Sequence, residues 1–302
     1  VKLPLILGQI LRQCALFTTS ENDKDYLDKI CGDSDLFEAE VLQKRKSLFD
    51  VLVERESISL PFGDFLASLP PIGVRQYSIS SSPLNKPGTC TITFSVLESP
   101  ARSDPNTSFE GVASTYLSSL SVGDSIQVSI RPTAKKAFRV PVDETPLLML
   151  CAGTGLAPFR GFIQQRSIQL KANPERKLSR AMVFVGCRSS TKDRLYADEM
   201  DEWVKIGAVE VKYAFSKEKE KSGGCAYVSD RMMESKDDLM EMWRTSARVY
   251  VCGSRGFAES LHPAVRHISE EARKSDGQSP AGDAEEIFKQ NMQERMVSDI
   301  FD

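Results

Sequence analysis

The chain has 302 residues, a net charge of −3 and an ordinary globular composition, 41% hydrophobic and 27% charged. That length supplies material for two domains with real cores. The charge balance argues against a nucleic-acid partner, which needs a basic stripe, and the sequence holds no apolar run long enough for a membrane span.

The first apolar stretch, Leu3 to Leu11, is short and interrupted by Pro4, Gly8 and Gln9. With only Lys2 before it and no small-residue cleavage site after it, it does not read as a signal peptide. The chain opens at Val1 inside a structured-looking segment, which suggests a piece of a longer polypeptide. Residues 1–68 read as helical, with apolar residues at three- and four-residue spacing in Asp23 to Cys31, Asp35 to Val53 and Pro61 to Leu69. No chemistry is visible there, so packing is expected.

From about residue 72 the rhythm changes. Thr89 to Val96 and Asp124 to Ile130 alternate with period two, as half-buried antiparallel strands do, and Ser99 to Gly111 between them reads as a polar loop. Thr115 to Leu120 reads as a helix. After Pro141 strands and helices alternate: strands at Leu147 to Leu150, Ala181 to Val185, Val209 to Phe215 and Arg248 to Val251, helices at Phe159 to Leu170, Leu195 to Ile206, Met232 to Thr245 and Phe257 to Lys274. Such alternation implies a parallel sheet covered on both faces. A last helix is expected over Asp283 to Met296, then a short tail, Val297 to Asp302.

The seven cysteines (Cys14, Cys31, Cys90, Cys151, Cys187, Cys225, Cys252) are odd in number and include no Cys-x-x-Cys pair. They fit reduced thiols in a cytoplasmic protein better than a disulfide framework or a zinc site. His262 and His267 lie in a charge-rich helical stretch and read as solvated.

Two segments carry chemistry. In Arg75-Gln76-Tyr77-Ser78-Ile79-Ser80-Ser81-Ser82-Pro83, a cation that can pair with phosphate, an aromatic that can lie against a ring and hydroxyls share one short strand. A surface strand with a Ser-rich end would read the same way. In Leu147 to Arg160, a buried strand runs into Gly153-Thr154-Gly155 and a helix start with Pro158 in its first turn. Glycines there let a pyrophosphate approach the backbone, and the helix start adds amide donors. A plain strand-to-helix turn is the alternative, since Pro158 stands where a third glycine would be. Gly111-Val112-Ala113-Ser114 opens another helix and offers a second amide-lined anion site. Cys252 ends a strand at a ligand-binding edge, or is simply a small buried hydrophobe; Phe301 is either a packing anchor or a lid over a ring.

Taken in order, these motifs make the sequence resemble the FAD/NADPH-binding half of the diflavin reductases: cytochrome P-450 reductase, sulfite reductase flavoprotein, nitric oxide synthase reductase and the fused fatty-acid hydroxylases. The stretches that carry the likeness are Arg75 to Pro83, Gly111 to Ser114, Gly153 to Phe162, Gly186-Cys187-Arg188, Tyr213 to Ser216, Val249 to Gly253 and Asp299 to Phe301. Cys151-Ala152-Gly153 and a Phe rather than a Trp near the end point to the reductase end of self-sufficient fungal-type cytochrome P-450 fusions.

The resemblance implies a ferredoxin-NADP reductase-like fold, α/β plus β. A helical connecting segment (1–68) would precede a partial antiparallel FAD-binding barrel (69–141), with its opening strands upstream of Val1, and a Rossmann-like NADPH-binding domain (142–302). It implies that Arg75, Tyr77 and Ser78 contact FAD, that Thr93 and Ser95 run beside the flavin, and that Gly111, Val112, Ala113 and Ser114 hold its pyrophosphate. Gly153, Thr154, Gly155 and Arg188 would line the NADPH diphosphate and ribose, and Ser216, Lys217 and Tyr227 the adenosine 2′-phosphate. Ser78, Cys252 and Asp299 would form the polar trio at the hydride-transfer centre, with Phe301 the aromatic that covers the flavin until nicotinamide displaces it. FMN and haem would sit on other domains of the parent, an FMN domain and a haem monooxygenase domain of the same polypeptide.

The sequence also departs from the family. Ser216-Lys217 replaces Ser-Arg, and Cys225-Ala226-Tyr227 replaces Lys-x-Tyr, so a bidentate fork becomes a point charge and one cation is lost. Lys219 or Lys221 could compensate. Gly253-Ser254 stands where Gly-Asp is commoner. A sulfite reductase-type flavoprotein, or a fragment without activity of its own, remains an alternative reading.

Overall fold

The computed structural model describes residues 2–131, 138–141, 144–275, 277 and 293–301. By internal packing the chain divides into two units, Val1–Gln76 with Val96–Asp124, and Tyr77–Ser95 with Ser125–Asp302.

The first unit opens with helices α1 (Lys2–Cys14), α2 (Glu21–Gly32), α3 (Ser34–Phe37), α4 (Leu48–Glu54) and α5 (Phe62–Ser68). Leu11, Cys14, Leu27, Leu48, Val51 and Ile58 form its core. The spacing predicts one helix over Asp35 to Val53, but the structure breaks it. The backbone widens into a π turn at Glu38–Leu42, takes a left-handed conformation at Arg45 (φ 51°) and restarts at Ser47. There Ser47 and Asp50 each bond the other's amide, a capping box that fixes a helix start. Local capping overrides the apolar period.

The antiparallel pairing also falls elsewhere than expected. β1 (Glu98–Pro100) pairs with β2 (Ser108–Glu110), with Ser99 opposite Phe109, inside the stretch read as a loop. The alternating segment Thr89 to Val96 contributes only the Ile79–Ile92 bridge among the described residues, and Asp124 to Ile130 forms no ladder there. Alternation marks the faces of a segment, whereas a strand also needs a hydrogen-bonding partner. Val128 and Ile130 stand 74% and 75% exposed as a result. α6 (Val112–Ser119) follows, starting earlier than the expected Thr115.

The second unit is built on a five-stranded sheet in the order β5-β4-β3-β6-β7, all parallel: β3 (Leu147–Ala152), β4 (Ala181–Cys187), β5 (Glu210–Phe215), β6 (Arg248–Ser254) and β7 (Met296–Phe301). β3 is an unbroken apolar run because both faces are covered. Met149 and Cys151 face a core with Phe159 and Ile163 of α7 (Leu156–Ala172) and Met200 and Trp203 of α8 (Ala197–Lys205). Leu148 and Leu150 face α9 (Val228–Glu234), α10 (Lys236–Arg244) and α11 (Arg255–Ser275).

Two expectations change in this unit. The single helix over Met232 to Thr245 is two, because Ser235 ends α9 and begins α10. The tail is a strand: β7 lies parallel to β6 and completes that edge of the sheet. A six-residue segment of mixed polarity pairs because the neighbouring strand offers free backbone groups, which its own sequence does not reveal. The helix expected at Asp283 to Met296 lies outside the described residues except at its end, where 293–295 are helical and Met296 opens β7.

Candidate functional site

The strand order reverses at β3, whose neighbours are β4 on one side and β6 on the other. Ligands bind open parallel sheets in the crevice outside the carboxyl ends at such a point. Here Gly153–Gly155 leaves β3 and Cys252-Gly253 lies at the end of β6.

The two glycines of that turn do different work. Gly153 has φ +53°, and a Cβ there would meet no atom within 4 Å, so its face is open to a ligand. A Cβ on Gly155 would lie 2.2 Å from the Cys252 carbonyl oxygen. Gly155 is therefore required by the packing of the turn against β6. Thr154 lies between them in a single 3₁₀ turn that feeds α7, with Pro158 buried in the first turn.

Three of the four residues expected at the hydride-transfer centre come together. Ser78 Oγ donates to Asp299 Oδ2 at 2.6 Å. Asp299 is the partner of Cys252 in the β6–β7 register, and directly opposed residues share a face. Cys252 is 1% exposed, and burial, then the Asp299 charge, push its thiol pKa well up. It is a neutral thiol at physiological pH. Phe301 lies two residues beyond Asp299 on β7, hence on the same face, and is 41% exposed.

Beside them, Tyr77 is half-buried and packs edge-on against Phe94, with centroids 5.8 Å apart. Thr93 Oγ1 and Tyr196 Oη lie 2.7 Å apart, and Ser95 is exposed. Arg75 and the Gly111–Ser114 turn belong to the first unit. Arg75 is exposed, its guanidinium on the Gly73 carbonyl at 2.7 Å. Ser114 Oγ donates to Gly111 O at 3.1 Å and accepts the Leu97 amide at 3.0 Å. A Cβ on Gly111 would come within 2.9 Å of Leu97 Cβ. Val112 is exposed at the start of α6, with half-buried Ala113 following.

Of the expected 2′-phosphate residues, Ser216 and Lys217 follow β5 and bond the end of β4, whereas Tyr227 stands at the start of α9. The Ser216 amide donates to Cys187 O at 3.0 Å and the Lys217 amide to Arg188 O at 2.9 Å. Arg188 is exposed and pairs with Asp193 at 3.0 Å. Glu218 Oε2 accepts from the Ser190 amide at 2.8 Å and its hydroxyl at 2.7 Å, with Lys221 Nζ at 3.3 Å. These bonds, the backbone amide foremost, hold its carboxyl pKa down to about 2. Of the two lysines expected to compensate for the lost arginine, Lys221 is thus engaged by Glu218. Lys217, Lys219 and Tyr227 are exposed. Ser254 caps α11 by accepting the Phe257 amide at 3.2 Å.

The sequence reading missed Arg160, 8% exposed, whose fork holds Glu199 through two 2.7 Å bonds and whose third nitrogen reaches Ser80 O at 2.8 Å. The available signal was a cation flanked by Phe159 and Phe162 on a buried helix, which must find partners.

An open glycine turn at a sheet switch point, a half-buried aromatic, and a serine–carboxylate pair beside a neutral thiol fit two nucleotide cofactors. Residues 7–116 match the family described as FAD binding domain, and residues 149–262 match the oxidoreductase NAD-binding domain. The chain carries both domains. It is similar to a bifunctional cytochrome P-450/NADPH–P-450 reductase of Fusarium oxysporum, 39% identical over 297 residues, which are 96% of this chain and 27% of that protein. A second, from Aspergillus oryzae, is 42% identical over 91% of this chain and 27% of its own length. A self-sufficient cytochrome P-450 monooxygenase of Phanerodontia chrysosporium is 42% identical over 87% of this chain and 24% of its own length. The chain thus spans about a quarter of the length of the curated relatives it matches, and corresponds to their NADPH–P-450 reductase part. No described helix is long and apolar enough to cross a membrane, and no group of three or more metal-ligating side chains occurs among the described residues.

Proposed function

We propose that the protein passes reducing equivalents from NADPH through FAD to an FMN domain, and thence to a haem monooxygenase domain of the same cytoplasmic polypeptide, with fatty-acid hydroxylation as the parent activity. FAD, when bound, accepts the hydride that NADPH gives up in becoming NADP⁺ and hands on the two electrons singly. The observation that carries this reading is the convergence of Ser78, Asp299 and Cys252 beside the open Gly153 turn.

In this reading 1–68 connects, 69–141 holds FAD and 142–302 holds NADPH. Arg75, Tyr77, Ser78, Thr93, Ser95 and Gly111–Ser114 hold FAD. Gly153–Gly155 and Arg188 take the NADPH diphosphate and ribose, and Ser216, Lys217 and Tyr227 its 2′-phosphate. Asp299 supplies negative charge where the nicotinamide turns cationic, Ser78, whose proton is given to Asp299, turns its hydroxyl oxygen to the flavin as an acceptor, and the un-ionised Cys252 adds bulk without charge. Phe301 shields the ring position until nicotinamide takes its place.

Stopped-flow mixing of the FAD-loaded protein with NADPH tests the reading. Flavin bleaching that slows in Ser78→Ala and Asp299→Asn supports it. Bleaching at the wild-type rate in both, or a protein that stays colourless after FAD is supplied, removes it.

A further inference from the structure

Helix α7 begins at the Gly153–Gly155 turn, and its next turns hold the segment that carries Ser78. Arg160 donates to Ser80 O at 2.8 Å and lies 3.4 Å from Thr91 Oγ1. One turn on, Gln164 Oε1 accepts the Ser82 amide at 2.8 Å. Between them, Gly161 admits the Ser81 backbone to 3.3 Å from the place of a Cβ. On its other side the Arg160 guanidinium is fixed by both oxygens of Glu199 and lies 4.3 Å over the Tyr196 ring. Tyr196, held at φ 54°, shares a 2.7 Å hydrogen bond with Thr93. One cation is therefore tied directly to Ser80 and Thr91, and through Tyr196 to Thr93.

Arg160 gives up hydration to pair with Glu199, whose side chain stays 40% exposed, and such pairs are weak sources of net stability. What a planar fork provides is direction: five donors in fixed geometry, which a lysine cannot reproduce. Ser78, two residues from the anchored Ser80 carbonyl, must sit within about 1 Å of its productive place, because misplacement of that order costs about 100-fold in rate.

We propose that Arg160 is a positioning residue: held by Glu199 and Tyr196, it sets the Ser78 segment at the spacing from Asp299 that hydride transfer needs, so that α7 gauges the distance between the nucleotide-phosphate turn and the flavin segment. The proposal rests on the roles given above to Ser78 and the Gly153 turn.

The test uses Arg160→Gln, Arg160→Lys and Tyr196→Phe in the FAD-loaded protein. In Arg160→Gln, FAD content and the Kd for NADPH stay within twofold of wild type. Flavin reduction slows at least tenfold, the long-wavelength charge-transfer absorbance weakens, and amide exchange at residues 78–82 and 91–93 quickens at least tenfold. Arg160→Lys restores part of the rate, and Tyr196→Phe gives a smaller loss of the same sign. A lowered Tm with reduction rate, charge-transfer band and exchange all within twofold of wild type overturns the proposal. Should Arg160→Gln fail to fold, Glu199→Gln and Tyr196→Phe decide on the same readouts. If wild-type flavin ignores NADPH, the flavin reading fails by itself; exchange at 78–82 then decides the anchoring, and no change in the variants overturns it.

Discussion

Ser78 Oγ donates a 2.6 Å hydrogen bond to Asp299 Oδ2 across 221 positions of sequence. The bond fastens the end of β7 to the segment that carries Tyr77, and puts a carboxylate opposite Cys252 on the neighbouring strand. An acceptor with full charge is worth about 1.5–3 kcal/mol to such a hydrogen bond.

Asp299→Asn keeps the shape and removes the charge. The asparagine oxygen still accepts a neutral bond worth about 0.5–1.5 kcal/mol. If the lost difference of about 1–1.5 kcal/mol is expressed in the transition state, flavin reduction by NADPH falls about 5- to 10-fold, at about tenfold per 1.4 kcal/mol. FAD content should hold. Stopped-flow absorbance checks both.

The two glycines of the β3–α7 turn should separate in their effects. Gly155→Ala drives a methyl to 2.2 Å from a backbone carbonyl oxygen, and stability drops by about 3 kcal/mol, the upper end of overpacking costs. Gly153→Ala meets open space and costs only about 1 kcal/mol for its left-handed backbone, but plants a methyl where the diphosphate is proposed to lie. Thermal denaturation should therefore single out Gly155→Ala, and NADP⁺ titration should single out Gly153→Ala.

Much of this was legible in the sequence. Three of the five parallel strands, β3, β4 and β6, announced themselves because strands covered on both faces are continuous apolar runs, as in Leu147 to Leu150, and β5 was marked by its alternation of polar and apolar residues. β7 did not, since edge pairing is decided by the neighbour's free backbone groups. The hairpin of β1 and β2 lay in a stretch of Ser, Asp and Pro in which every strand residue is exposed, so no burial pattern marked them. Among the candidate site residues, Ser78, Cys252 and Asp299 could be named from their order in the sequence, and the fold brings those three together. The Arg160–Glu199–Tyr196 cluster was not, because its partners are brought together by the packing of α7 against α8 and the Tyr77–Ser95 segment.

The thiols should sort by environment. Burial raises the pKa of Cys151 and Cys252 strongly and that of Cys187 to about 12, whereas Cys90 is exposed. Only the thiolate is nucleophilic, so iodoacetamide at pH 8 should label Cys90 first and leave the buried three unmodified until the chain unfolds. Peptide mass spectrometry before and after urea reads this directly.

Nucleotide preference should depend on Lys217 more than on Lys221. Lys221 is already committed to Glu218 at 3.3 Å, whereas Lys217 is exposed next to Ser216. A charge pair at about 4 Å is worth about 1 kcal/mol in water and up to about 4 kcal/mol at a protein surface. Lys217→Ala should thus lower the NADPH-over-NADH ratio of kcat/KM at least fivefold, and Lys221→Ala less than twofold. Lys217→Arg, restoring a bidentate fork, should raise it.

Glu218 ties the loop after β5 to Ser190 in the loop after β4, and this tie should be sensitive to acid in a defined window. Its folded pKa is about 2, against about 4.3 for a glutamate in an unfolded chain. A carboxyl whose pKa is lowered by folding gives its full contribution above the unfolded value, and loses it as pH falls toward the folded one. Between about pH 5 and 2 the unfolded chain takes up a proton that the folded chain refuses, and stability declines. Glu218→Gln removes that linkage, so the slope of the urea midpoint against pH in this window should be shallower than in wild type, while the two slopes coincide above pH 6. Equal slopes below pH 5 would mean that Glu218 is as free in the folded protein as in the unfolded chain.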